Sequence, residues 1–347
     1  MKRMIRNAGI VSVVLTAIFV PPPAVAQVAR RGPDAPSVYS IRALGALPGD
    51  TWSWAVAINN RGQIVGASGS VSGSPHAVLW DNGTIIDLDP AGAFSDARDI
   101  NNRGQIVGSG HTASGNVHAV LWDAGVLTDL GTLGGNNSTA NAINDRGQVV
   151  GSSATAAGEQ HAFLWEDGLM VDLGTLPGAD FAPASIAWDI NNRGQVVGVS
   201  TTAAGGQHAL IWDRGTMVDL SSSTDGSVSS AIGINARGQV VGVVSEISGF
   251  SAPYAALWWK GANTDVGRPG SIARAINKSG RVIGEGWKPS GTFRAFVWQD
   301  GRKTELVRFP GAVSSRAWDI NDRGEVVGET LSTSFVSTAV VWSIRRR

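Results

Sequence analysis

The chain has 347 residues, 43% of them hydrophobic, with no cysteine and with 28 basic residues against 28 acidic ones. The lack of cysteine excludes a disulfide framework, a thiolate nucleophile and a Cys-based zinc site, and the balanced charge excludes a basic field for nucleic acid. Stability must come from packing, to which thirteen Trp contribute large buried bodies.

Taken in chain order, Lys2, Arg3 and Arg6 precede an apolar run from Ile10 to Val20, and Ala24-Val25-Ala26 offers small residues for cleavage. Residues 1–26 read as a secretory signal peptide, and Pro21-Pro22-Pro23 stops the run short of a comfortable membrane span. The expected location is therefore secreted or periplasmic, with no membrane insertion after cleavage. Losing three of the 28 basic residues leaves 25 against 28 acidic, a net charge of −3. Residues 27–37 are Arg/Pro-containing and aperiodic and read as a flexible lead. Residues 38–347 read as one domain.

That domain is a repeat array. The pattern Ser-x-Ala-x-x-Ile-Asn-x-x-Gly-x-(Val/Ile)-(Val/Ile)-Gly occurs seven times, with its Ile at 58, 100, 143, 190, 234, 276 and 320. A spacing of 42 to 47 residues belongs to stacked or circular repeat folds. Each repeat holds four short apolar runs separated by turn residues, which predicts four strands, A to D. In the third repeat they are 138–144, 148–152, 161–165 and 169–173. The A–B link, Asn-x-Arg-Gly in six copies, has the chemistry of a tight bulged hairpin, and only Asn277-Lys278-Ser279-Gly280 departs from it. The C–D link repeats as Trp-x-x-Gly.

Four antiparallel strands per unit predict an all-β, seven-bladed β-propeller. The chain ends supply a second argument. The seventh repeat stops after strand C at Trp342, while Ile41 to Gly49 matches Met170 to Gly178, a strand D with no A, B or C before it. An N-terminal strand completing the last blade would close the ring and remove two open sheet edges.

Comparing the seven copies separates scaffold from function. The repeated Ser and Ala of strand A suit a crowded axis, and seven equivalent serines cannot each be a nucleophile. His76, His118, His161 and His208 hold equivalent places in four blades, so rotation spreads them apart, and they read as partly buried His with a satisfied ring nitrogen. The repeated strand C Trp reads as core between neighbouring sheets. Together with Ile-Asn-x-x-Gly-x-Val-Val-Gly, the segment His161-Ala162-Phe163-Leu164-Trp165 and its counterparts resemble the bacterial extracellular HAF repeat family. The resemblance covers nearly all of the mature chain and implies secretion and repetition; blades five to seven depart at the His, and the family brings no site residues.

Asp319-Ile320-Asn321-Asp322-Arg323-Gly324 resembles a calcium loop of integrin-type propellers, but Arg323 stands where a third carboxylate is needed. No metal and no cofactor is expected. The candidate ligand positions lie among the fourteen non-repeating strand A residues two and four before each Ile, and are Trp54, Asp96, Arg98, Asn141, Trp188, Arg274, Arg316 and Trp318. They alternate with the fixed Ser and Ala and so share one side of the strand. The working face is expected to be the one with the variable B–C and D–A loops and the aromatics Trp52, Phe94, Phe181, Phe250, Trp287, Phe309 and Phe335. These features point to a monomeric binding module for a glycan, a surface polymer or a protein. A glycan-active hydrolase or lyase at the channel mouth and a purely structural surface protein are the alternatives.

Overall fold

The computed structural model describes residues 39–70, 73–89, 94–112, 114–179, 183–221, 228–245 and 252–344. The expected signal peptide and lead lie outside the described residues. Among the described residues, strands form seven four-stranded antiparallel sheets, a seven-bladed β-propeller. In blade 3 they span Gly134–Ile143, Val149–Thr155, Gln160–Glu166 and Leu169–Gly174. All four predicted runs are present. Strand A of each blade contacts strand A of both neighbours, so these strands form the inner wall of the ring.

The local chemistry of the links explains their uniformity. Each A–B turn closes with Gly in the left-handed region, as at Gly62 (φ 87°) and Gly147 (φ 88°), and the Gly amide donates to the carbonyl of the repeated Asn. Six C–D links are two-residue hairpins with positive φ at both positions, for example Asp167 (50°) and Gly168 (86°). That is a type I′ turn, whose twist matches the flanking strands.

The core lies between blades. Trp80 of blade 1 packs with Val327, Ala339 and Val341 of blade 7, and Trp342 of blade 7 packs with Ile283, Ala295 and Val297 of blade 6. The expectation of one Trp wedged between each pair of sheets holds there. It is reinforced where the Trp212 indole N–H donates to the Leu173 carbonyl at 3.1 Å.

The displaced strand closes the ring. Tyr39–Ala43 pairs antiparallel with Ser337–Ile344, from Tyr39 opposite Ile344 to Ala43 opposite Val340. Tyr39 is buried in the cluster formed by blades 6 and 7, with Ile41 packed against it. At about 1.5–3 kcal/mol per buried side chain, the closing strand contributes several kcal/mol. A chain beginning at Leu44 should therefore unfold at lower urea concentration than the chain beginning at Gln27, by about 3–6 kcal/mol. Equal midpoints would contradict closure by this strand.

Candidate functional site

The repeated Asn makes the turn and the ring at once. In every blade its Oδ1 accepts the backbone N–H groups two and four residues on, as at Asn144 from Arg146 (2.9 Å) and Gln148 (3.1 Å). Its Nδ2 donates to the backbone carbonyl of the corresponding Asn in the next blade. These bonds run Asn59 to Asn101, Asn144, Asn191, Asn235, Asn277, Asn321 and back to Asn59, at 3.0–3.2 Å. In six blades the second Nδ2 hydrogen goes to the side chain four residues on, a Gln or Glu325. Blade 6 has Arg281 in that place, and there the Ser279 hydroxyl donates to Asn277.

The other repeated letters have equally specific partners. The strand A Ser hydroxyl accepts the amide of the Ala that follows the His position in the preceding blade, in all seven blades, as from Ala119 to Ser138 at 2.8 Å. The last Gly of the motif faces a bulge in strand A, and a Cβ at Gly66, Gly151 or any equivalent would overlap a backbone carbonyl oxygen of that strand. Only Gly fits so close an approach.

Asp99, Asp189 and Asp319, which in sequence resemble the lead residue of a calcium loop, serve as staples between blades. Each carboxylate accepts the Ile amide of its own blade and that of the next, as Asp319 does from Ile320 (2.7 Å) and Ile58 (2.8 Å). Asp99 joins Ile100 to Ile143, and Asp189 joins Ile190 to Ile234. Burial pushes the Asp189 and Asp319 carboxyls up to about 6 against the pull of these amides, and it pushes Asp99 well above the carboxylate range. The charge of Asp319 raises the other two further, so the three carboxylates act on one another around the axis.

The histidines are scaffold. Nδ1 faces the strand D Asp eleven residues on, at 2.9 Å in His118–Asp129, 2.8 Å in His161–Asp172 and 2.7 Å in His208–Asp219, and at 3.3 Å in His76–Asp87. That Asp was not singled out in the sequence, although its recurrence at a fixed distance from the His was a readable signal. The same carboxylates accept an amide two residues on, as Asp172 does from Gly174.

The eight candidate ligand positions are half-buried and alternate with buried Ser and Ala, so they share one strand side as expected. Most of them are engaged within the protein. Arg98 donates to Asp96 and to Asn141 of the next blade, both at 2.9 Å, and Asn141 donates to the Ala187 carbonyl of blade 4. Arg274 pairs with buried Glu285 at 2.6 Å, and its guanidinium lies 4.6 Å from the Trp318 ring centre. Arg316 pairs with Glu329 at 3.2 Å and lies over Phe293 at 4.5 Å. Trp54 stacks on Trp52 at 4.6 Å. Arg98, Asn141, Trp188, Arg274 and Trp318 share the bulge position of strand A. Phe181 and Phe250 of the expected working face lie outside the described residues.

A cavity of ≈ 210 Å³ opens at the other end of the channel, on the A–B turn face. Its lining comprises the seven Ile-Asn pairs, the residue after each Asn, and Asp319, and it includes none of the eight candidates. The residues after Asn form an outer rim: the backbone N–H of Asn60 donates to Asn102, that of Asn102 to Asp145, and that of Asp145 to Asn192, each at 2.8 Å. Burial raises the Asp145 carboxyl, but hydrogen bonds from Asn102 and Asn192 outweigh this and hold it below its ordinary range. The polarity of these rim positions, Asx in five of seven blades, was the overlooked signal.

The chain matches no protein-family profile. No curated protein matches it in sequence. It is similar in structure to the β-propeller domain of the Trilobed protease from Pyrococcus furiosus, with a TM-score of 0.57 and 10% identity over 86% of this chain and 95% of that one. That domain is described as having an open velcro topology, whereas here Tyr39–Ala43 pairs across the junction. An acylaminoacyl peptidase (TM-score 0.53, 11% identity, 85% of this chain) and a puromycin-hydrolysing peptidase of Mycobacterium tuberculosis (0.52, 11%, 80%) are also similar. The chain spans about half the length of these two peptidases, 52% and 48%. At such identities the likeness shows the propeller fold alone.

The buried carboxylates predict a pH dependence. A carboxyl raised from 3.8 to about 6 binds its proton more tightly in the folded chain, so stability is highest at low pH and falls as pH rises through this window. Going from pH 7.5 to pH 5 should stabilise the protein, by on the order of 1 kcal/mol for each of Asp189 and Asp319. Urea unfolding at the two pH values measures this. The Asp319→Ala variant, which copies blades 1, 3 and 6, should show a smaller difference; stability independent of pH in the parent chain would contradict the assignment.

Proposed function

We propose that the chain is a secreted or periplasmic repeat propeller of the HAF type that acts as a binding module for a glycan, a surface polymer or a protein. The carrying observation is the cavity at the A–B turn mouth. Its walls are side-chain amides and carboxylates held in place by inter-blade hydrogen bonds, a rigid polar surface suited to hydroxyl-bearing ligands. Its lining contains no hydroxyl, thiol or imidazole side chain. Of its carboxyls, Asp145 is held ionised and lacks the proton that a general acid for glycoside cleavage must donate, while Asp319, raised to about 6, is buried and gives both oxygens to the Ile58 and Ile320 amides. These features support binding over glycan cleavage. The signal-like segment at 1–26 supports export.

Two measurements test this reading. A glycan and polymer array probed with residues 27–347 should retain the protein on a subset of ligands without consuming them. New reducing ends or unsaturated sugar products, or retention on no ligand at all, would overturn the binding role. Mass spectrometry of chain recovered outside the cytoplasm should begin at Gln27; a cytosolic chain still beginning at Met1 would overturn export.

A further inference from the structure

The outer rim of the A–B mouth follows one rule in five blades and breaks it in two. Where the rule holds, the backbone N–H after the repeated Asn donates to the side-chain oxygen of the corresponding residue in the next blade. Asn60, Asn102, Asp145, Lys278 and Asp322 donate in this way, to Asn102, Asp145, Asn192, Asp322 and Asn60, at 2.8–3.1 Å. The next residue for Asn192 is Ala236, a methyl group, and the next for Ala236 is Lys278, which carries no acceptor. Among the described residues no side chain or carbonyl accepts the N–H of Asn192 or of Ala236, and both residues are exposed at the cavity lining.

We infer that this break is a carboxylate-binding notch, in which a ligand's carboxylate takes the place that an Asx oxygen occupies elsewhere around the rim. The five intact positions show that the backbone presents its N–H groups at hydrogen-bonding distance to such an oxygen. Two cations also stand near the break. The Lys278 ammonium is two-thirds exposed beside the break, and the Arg193 guanidinium lies against Gly238 of the same turn. The neighbouring negative groups are already supplied with donors: Asp189, at the same junction, takes the Ile190 and Ile234 amides, Asp145 takes Asn192 Nδ2 at 2.8 Å, and Asp322 lies 3.3 Å from Lys278 Nζ. Two backbone donors beside a cation make a recurring carboxylate site.

The occupant is an acidic sugar of the uronic acid type. A carboxylate matches the donors of the notch, and the side-chain amides of Asn60 and Asn102 on the rest of the rim suit sugar hydroxyls. This deepens the binding-module reading and rests on it.

The test is a titration of ¹⁵N-labelled residues 27–347 with oligogalacturonate, with neutral galactose oligomers and a Glu-rich peptide as comparison arms. The Asn192 and Ala236 amide resonances should move with the uronate and stay in place with the neutral sugar. Ala236→Asn supplies the missing oxygen to Asn192, so it should weaken uronate binding at least tenfold while keeping or raising the unfolding midpoint. Lys278→Gln should weaken it severalfold and reduce its salt dependence. Unchanged affinity in Ala236→Asn, equal shifts with the neutral sugar, or tighter binding of the peptide than of the uronate would each overturn the inference. Array binding of neutral glycans that Ala236→Asn leaves intact would end this inference alone and leave the binding role standing.

Discussion

Seven strands that turn back on themselves around one axis must each close a tight, buried turn and also be tied to the next blade. One side chain resolves this. The repeated Asn offers two acceptor sites to its own turn and donates to the next blade, so hairpin geometry and ring closure share a residue that is only 3–5% exposed. Asp could serve the turn but has no hydrogen to donate across the blade junction. Losing that bond costs about 0.5–1.5 kcal/mol, and the cost recurs around the ring.

The remaining conserved-looking letters follow from the same junction. Close approach of strand B to the bulge of strand A demands Gly, and the tight contact between blades demands Ala and Ser. Ser then spends its hydroxyl on the preceding blade's amide. Three Asp residues tie three of the seven junctions, at blades 2–3, 4–5 and 7–1, at the energetic cost of burying carboxylates near one another. Strand A behaves differently at its variable positions. Its Arg residues meet carboxylates and aromatic faces of the same protein, and pairs of this kind satisfy buried charge more than they stabilise the fold.

The calcium-like loop and the rim show where sequence reading stops. Arg323 argued from chemistry alone against a metal loop at Asp319. What Asp319 does instead depends on Ile58, 261 residues away in the chain, and no local spacing could show it. The four His were recognisable as scaffold because they repeat, yet their Asp partners became visible only with strands C and D side by side. The bulge at Trp188 or Trp318 was hidden for a related reason: an extra residue in one strand is defined only against its partner.

The chain by itself determined the strand count, the turn chemistry, the seven repeats and the displaced closing strand, because each is a local pattern written several times over. Repetition also separated scaffold letters from free ones, although it could not assign a partner to either. Tertiary structure decided which oxygen meets which amide across the blade junctions, where the open cavity lies, and that the rim breaks beside Ala236. Those are relations between residues 42 to 47 apart around the ring, or at opposite ends of the chain. They exist only once neighbouring blades have packed, and the last of them only once closure has brought the first blade against the last.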